Sequence, residues 1–338
     1  MTIAVADHRR DAELPGLVAE WRALWERVPT ATPFQHPDWL VTWWEVFAPG
    51  DLFVVTARWG DRLVGMAPLY REVGPLGKRL LPLGISVSDY LDLLVDPACA
   101  EAGSSALVSH ILRSDLSWHE WELPELLSGA AGLSLARPSG MQDETVAQSI
   151  CPVLSLPASV EALAKVIPPR KRRKLRMARN RARRRGPVAI ERIGSEDTDD
   201  AFAALLEFHR ARWHHHGETA VLANARAREF HRMAMRRLNE AGIARIYRLS
   251  ITGATAGIYY GFLRGRHAYA YLGGFNPDFA FESPGTLLIG HAIEQAVRDG
   301  AERFHFLRGD EPYKFEWGAA EQWTQRRVFR RVDAHVHA

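Results

Sequence analysis

The chain has 338 residues, 47% of them hydrophobic and 25% charged. Those proportions exclude a mainly disordered, collagenous or membrane-spanning protein, and the length suits two domains. The net charge of +3 comes from one place: residues 170–185 hold eleven Lys/Arg and no acid, so the rest of the chain stands at −8. This is a basic element on an acidic protein, not a generally basic protein. Two cysteines, Cys99 and Cys151, are too few for a disulfide framework or a zinc ribbon and fit a reducing compartment. No apolar run approaches the roughly 20 residues of a membrane helix. The first ten residues carry Asp7, Arg9 and Arg10 without the apolar core of a secretory signal. A cytoplasmic setting is expected.

The first half opens on Leu14, Leu17, Val18, Trp21, Trp25 and Val28, the spacing of one helical face, stopped by Pro29. A second helix starts near Pro37 and carries Trp39, Leu40, Trp43, Trp44 and Phe47. Residues 52–59 and 63–70 read as a hairpin about Gly60-Asp61-Arg62. Residues 80–95 read as a further strand, 100–113 as a helix and 118–123 as a strand. A Gly, Ala and Ser-rich stretch, 128–150, leads into 151–156, and the basic segment follows Pro168-Pro169.

The second half repeats this order. Phe202, Leu205, Leu206, His209 and Trp213 share a helical face, and 226–241 is a helix ended by Gly242. Strands are expected at 244–251, 255–263 and 267–274, then a helix to Asp299, a strand at 303–307, an irregular polar run and a last strand at 326–332. Helices covering mixed sheets in both halves indicate an α/β (α+β) fold that is duplicated. The expected division is 1–155, a basic linker helix at 156–190, and 191–338.

Walker A, dinucleotide, H-E-x-x-H, G-x-S-x-G and C-x-x-C patterns are absent. His214, His215 and His216 point about 100° apart on a helix and do not converge on one ion, so no metal is expected. Ser283-Pro284-Gly285-Thr286 is either an ordinary helix start or a phosphate site, with Ser283 as N-cap, Pro284 at the first position and the Gly285 and Thr286 amides free. Residues 308–314 follow a strand, at the end where open sheets hold ligands. There Asp310 or Glu311 can take a proton and Tyr313 can return one, while Arg308 and Lys314 can meet phosphate or carboxylate. The alternative is a charged turn closed by its own ion pairs. On a strand Asp89-Tyr90-Leu91-Asp92 puts its two carboxylates on opposite faces, so hydrogen bonding between domains is preferred to a catalytic pair. His209 with Trp213 is either core packing or a pair facing substrate. The basic helix is either a solvated face or a dock for an acidic ligand, anionic lipid or nucleic acid, and it lacks the aromatic interleaving of single-strand binders.

In order along the chain, several runs resemble one family. They are Phe34-Gln35-His36-Pro37-Asp38-Trp39, Gly65-Met66-Ala67-Pro68-Leu69, Asp89-Tyr90-Leu91-Asp92, the basic run 170–176, and Phe208-His209 with Arg212-Trp213. Further on come Tyr271-Leu272-Gly273-Gly274-Phe275-Asn276-Pro277, Ser283-Pro284-Gly285, and Phe306-Leu307-Arg308-Gly309-Asp310 with Tyr313-Lys314. Together they resemble the CelD/BcsL-type acetyltransferases of the GNAT superfamily, with the double domain of the FemAB-type peptidyltransferases. The resemblance implies tandem GNAT-like domains and an acetyl-CoA or other acyl-CoA co-substrate without a metal. The acyl donor would lie along 267–274, against Leu272, Gly273 and Gly274, with its pyrophosphate at Ser283, Gly285 and Thr286. Of the usual pyrophosphate signature only Gly285 remains. His209, Trp213, Tyr271, Arg308 and Lys314 would face the acceptor. An amide near Gly273 would hold the thioester oxygen, Asp310 or Glu311 would act as base and Tyr313 as acid. The implied acceptor is a small or polymer-linked polar amine, in polysaccharide or envelope metabolism. Nucleic acid is not expected, except as aminoacyl-tRNA if the chain is a FemAB-like aminoacyl transferase. A catalytically silent acyl-CoA-binding scaffold is the remaining alternative, and peripheral membrane contact through the basic helix stays open.

Overall fold

The computed structural model describes residues 2–75, 77–213, 222 and 224–331. They form two compact units. One comprises the chain up to Ser149 together with the segment from Trp323 on; the other is Ile150–Gln322.

The first unit contains β1 (Ala4–His8), α1 (Leu14–Arg27), α2 (Pro37–Phe47), β2 (Asp51–Trp59), β3 (Arg62–Gly74), β4 (Gly77–Pro82), β5 (Leu94–Val95), α3 (Ala100–Arg113), β6 (Glu120–Leu126), α4 (Ala131–Ser134) and β7 (Met141–Ile150). The α1 stripe buries Leu14, Leu17, Trp21, Leu24 and Trp25, and the indole N–H groups of Trp21 and Trp25 donate to the carbonyls of Gln35 and Thr32. Burying two such rings is tolerated because both polar edges are satisfied. The stretch 80–95 is not one strand. β4 ends at Pro82, and Gly84 takes φ +83° where a Cβ would lie 2.6 Å from Leu40. An irregular run then leads to the two-residue β5.

The second unit contains β8 (Val153–Ser155), α5 (Leu163–Val166), α6 (Pro169–Arg185), β9 (Val188–Arg192), α7 (Thr198–Trp213), α8 (Ala225–Glu240), β10 (Ala244–Ile251), β11 (Ala254–Arg264), β12 (His267–Phe275), α9 (Pro284–Arg298), β13 (Arg303–His305) and α10 (Pro312–Phe315). The final strand, β14 (Trp323–Arg331), belongs to the first unit.

The first sheet has the order β1-β2-β3-β4-β6-β14-β7, with β5 paired to β3; the second has β8-β13-β12-β11-β10-β9. Two sequence expectations are corrected here. The expected 191–338 domain would include β14, but this strand pairs antiparallel with β6, where Phe329 packs on Trp121 at 5.4 Å and Arg327 pairs with Asp143. The basic segment is not a linker: Leu175, Ala178 and Ala182 give α6 a narrow apolar edge, which is buried in the core of the second unit beside Ile293 and Ala296 of α9. The strand β7 lies in the Gly, Ala and Ser-rich stretch. Its residues are mostly exposed, so it has no apolar alternation to announce it.

Candidate active site

A fork in the second sheet defines the site. β12 and β13 run parallel but pair only at His267↔Arg303, Ala268↔Phe304 and Tyr269↔His305. Beyond Tyr269, β12 continues to Phe275 while the other chain bends away through Leu307 at φ +62° and Gly309 at φ +112°. A bulge sharpens the divergence. Tyr260 faces Leu272 and Gly261 faces Ala270, so Tyr271 is the extra residue. An extra residue bends and twists its strand. Gly261 is required there, since a Cβ would lie 2.3 Å from the Tyr269 carbonyl oxygen. The open edge of β12 from Ala270 onward therefore offers unpaired strand backbone at the C-terminal end of a sheet, where such folds hold ligands.

The start of α9 sits above this edge. Ser283 occupies the N-cap with φ +57° and no side-chain cap bond. The Thr286 and Leu287 amides both donate to the Ser283 carbonyl, at 3.0 and 3.2 Å. Thr286 thus does not offer a free amide, contrary to expectation, because the first turn tightens onto Ser283. Pro284 has no N–H, so among the described residues Gly285 alone in this turn keeps an unengaged amide. A Cβ on Gly285 would meet only Phe275, at 3.8 Å. Gly285 is therefore not demanded by packing, and its neighbourhood is open.

The other residues divide by environment. Gly273 is exposed on β12, and a Cβ there would make only ordinary contact, 3.6 Å from the Ile258 carbonyl. Gly274 is buried, and a Cβ there would press on Phe208 at 3.0 Å and Leu205 at 3.2 Å, so the close packing of α7 requires glycine. Leu272 is half-buried beside it. Asp310 is exposed, and Arg308 is half-buried at the bend. Tyr313, 46% exposed on α10, lies near enough to Tyr259 to help push that buried phenol up, after burial itself and Tyr247.

Two loop residues are engaged elsewhere. Lys314 is buried, and its Nζ donates to the carbonyls of Leu307, Arg308 and Gly309 and pairs with Glu311 at 2.8 Å. Lys314 is the peg of the loop rather than a substrate contact, and Glu311 is its counter-ion rather than a free base. With positive φ angles at Leu307 and Gly309, the bend turns three carbonyls inward, and the buried ammonium satisfies them together.

On the face covered by α7 and α8, Tyr271 lies 5.6 Å from His231 and 5.6 Å from Tyr260, ring to ring. His231 is pushed down to about 3, first by burial and then by His209. It is neutral, and His209 stands next to it on α7. The Trp213 side chain and His214, His215 and His216 lie outside the described residues. No group of metal-ligating side chains occurs among the described residues. His231 was legible in the sequence, since Ala227, Phe230, His231, Ala234 and Leu238 form the buried stripe of α8. His305 was also missed. Its ring nitrogen lies 2.9 Å from that of His267, and Tyr269 stacks on it at 4.8 Å, at the last paired rung before the fork. Burial holds both imidazoles below their usual range, so one neutral ring donates to the other.

The first sheet has the corresponding fork, between β4 and β6, which pair only at Arg79↔Glu120 and Leu80↔Trp121. This one is filled by its own chain. The Leu91 amide donates to the Glu125 carbonyl, and Leu91, Asp92 and Leu93 pack against Pro82, Leu123 and Pro124 without room for a water molecule. Asp92 accepts from the amides of Leu93, Ala131 and Gly132, yet burial raises it to about 7. Its folded value lies above the ordinary carboxyl value, so its contribution is complete at low pH and is lost as pH rises from about 4 to 7. Urea denaturation across that window should show stability falling in the native chain and falling less in Asp92→Asn.

The second fork is thus the open one. Residues 169–315 match the family model described as the acetyltransferase (GNAT) domain. That match lies within the second unit and spans less than half of the chain, and the described residues as a whole form a mixed α/β fold of two sheets with helices. The fold is similar to the crystal structure of FemX, with 12% identity, 97% of each chain covered and a TM-score of 0.66. It is similar to a conserved protein from Bacteroides thetaiotaomicron, with 12% identity, 97% of this chain and 100% of that one covered and a TM-score of 0.61. It also resembles L-PGS from Bacillus licheniformis, with 10% identity, coverages of 93% and 91% and a TM-score of 0.54. No curated protein sequence matches the chain.

Proposed function

We propose that the protein is an N-acyltransferase that moves an acyl group from acyl-CoA to the amine of a polar acceptor, as in the CelD/BcsL-type enzymes it resembles. The open fork of the second sheet carries this reading. Its unpaired β12 backbone, followed along the chain by the helix-start amide of Gly285, supports the reading, and Tyr313 of the loop after β13 is assigned to it as the acid. These features suit a long donor with a thioester at one end and phosphates further along.

Acyl-CoA supplies an acyl group already activated as a thioester. The β12 edge near Gly273 orients it and offers an amide to the carbonyl oxygen, and the Gly285 amide meets a phosphate. The acceptor nitrogen bonds to the acyl carbon as the carbon–sulfur bond breaks. Tyr313 gives its proton to the departing sulfur. The proton shed by the nitrogen passes through water to Asp310, the carboxylate of the loop that Lys314 does not hold. The aromatic group of His209, His231 and Tyr271 lines the opposite face and positions a polar acceptor. A polysaccharide or envelope acceptor follows from the resemblance. The FemAB-like reading, with aminoacyl-tRNA as donor, draws on the fold shared with FemX.

Because the first fork is filled, calorimetric titration should find one acyl-CoA bound per chain. Two equal sites would contradict this assignment. Turnover of a panel of amino sugars and amino acids with acetyl-CoA tests the activity itself. Binding without turnover on any amine would identify a silent scaffold.

A further inference from the structure

Six of the eleven cations in α6 have no work inside the fold. Lys171 and Lys174 pair with Glu316, Arg179 with Glu294 and Arg185 with Glu282, and Arg181 donates to the Phe281 carbonyl. Among the described residues, Arg170, Arg172, Arg173, Arg176, Arg183 and Arg184 have no such partner. At about 100° per residue they cover the half of the helix that faces away from the core, and Arg172 to Arg183 span about 16 Å.

Apolar groups flank this cationic strip on both sides. On one side Met177 is 43% exposed and Phe281 is 69% exposed, the latter under the Arg181 guanidinium at 4.5 Å. On the other side an open groove of about 420 Å³ runs between α5, α6 and α9. Arg172, Arg176 and Arg183 form its wall, Leu163, Ile167 and Leu175 its floor, and Glu161 stands at its rim.

We propose that this side of α6 docks on an anionic phospholipid bilayer, with the arginines meeting lipid phosphates and Phe281 and Met177 entering the headgroup boundary. The inference is independent of the transferase reading. Charge complementarity calls for a polyanion, and the exposed apolar side chains beside the arginines select a lipid surface. A nucleic acid would reward stacking surfaces, and the Phe281 ring already carries Arg181 on one face. No described helix is long and apolar enough to cross a membrane, so the contact is one of surface docking.

Co-sedimentation of the full chain with vesicles tests this. The expected result is binding to phosphatidylcholine vesicles containing phosphatidylglycerol and none to phosphatidylcholine alone. The triple variant Arg173→Glu, Arg176→Glu, Arg184→Glu should bind about a hundredfold more weakly. All three side chains are exposed and unpaired, so its thermal melt should match that of the native chain. Phe281→Ser keeps every charge and should bind about tenfold more weakly. Three results would overturn the proposal: no binding to anionic vesicles, equal binding to neutral ones, or full binding by Phe281→Ser. Tight binding of a structured RNA by a chain that ignores vesicles would assign the strip to nucleic acid instead.

Discussion

Tyr313→Phe should lower turnover by about two to three orders of magnitude, the size of a lost general acid, and leave donor affinity and stability unchanged. The expectation follows from position. Tyr313 is 46% exposed on the short helix α10, so phenylalanine keeps the ring and its packing there. Its phenol lies near that of Tyr259 on β11, the strand paired with β12. Steady-state kinetics separates the outcomes. A fall in kcat at constant KM supports the acid role. A rise in KM alone would make Tyr313 a binding residue, and unchanged kinetics would remove it from the site.

Lys314→Met should destabilise the chain by about 3–5 kcal/mol, as expected when a buried charge network loses one partner. The ammonium is 3% exposed and holds three carbonyls of the 307–309 bend together with Glu311. Methionine fills the volume but leaves those oxygens unsatisfied. The loop that carries Tyr313 would then relax, and turnover should fall with stability. Glu311→Gln is the control. Its carboxylate is 54% exposed, so its loss should cost less than about 1 kcal/mol. Urea denaturation of both variants measures the contrast, and equal effects would mean that the ion pair, not the carbonyl cage, holds the loop.

Much of the architecture was legible in local periodicity. The stripes of α1, α7 and α9 are patterns of neighbouring residues, and they survive in the fold. What stayed hidden depends on distant pairing. β14 reads as a strand, but nothing in residues 323–331 says that it joins β6, some two hundred residues earlier. The fork is equally non-local. It arises because β12 and β13 share three rungs and because the Gly261 bulge bends β12, and neither is written in either strand alone. The loop 308–314 shows the limit most plainly. A lysine in a polar run looks solvent-facing, whereas here two left-handed residues turn carbonyls onto it. The basic helix misleads in a similar way: Lys171 is buried beneath its own segment, 4.5 Å over the Trp317 ring and paired with Glu316. By contrast, Gly285 and Tyr313 stand out from motif and position alone: one follows a proline at a helix start, the other closes a polar run after a strand.

The central claim is that the fork of the second sheet, roofed by the start of α9, holds the acyl donor. Calorimetric titration of acetyl-CoA into the native chain and into Gly285→Glu tests it most directly. The position has room for a side chain, so the variant should fold as the native protein does while placing a carboxylate where a phosphate would sit. The account predicts one-site binding by the native chain and its loss in the variant. Equal affinity in both, or no binding by either, would contradict it.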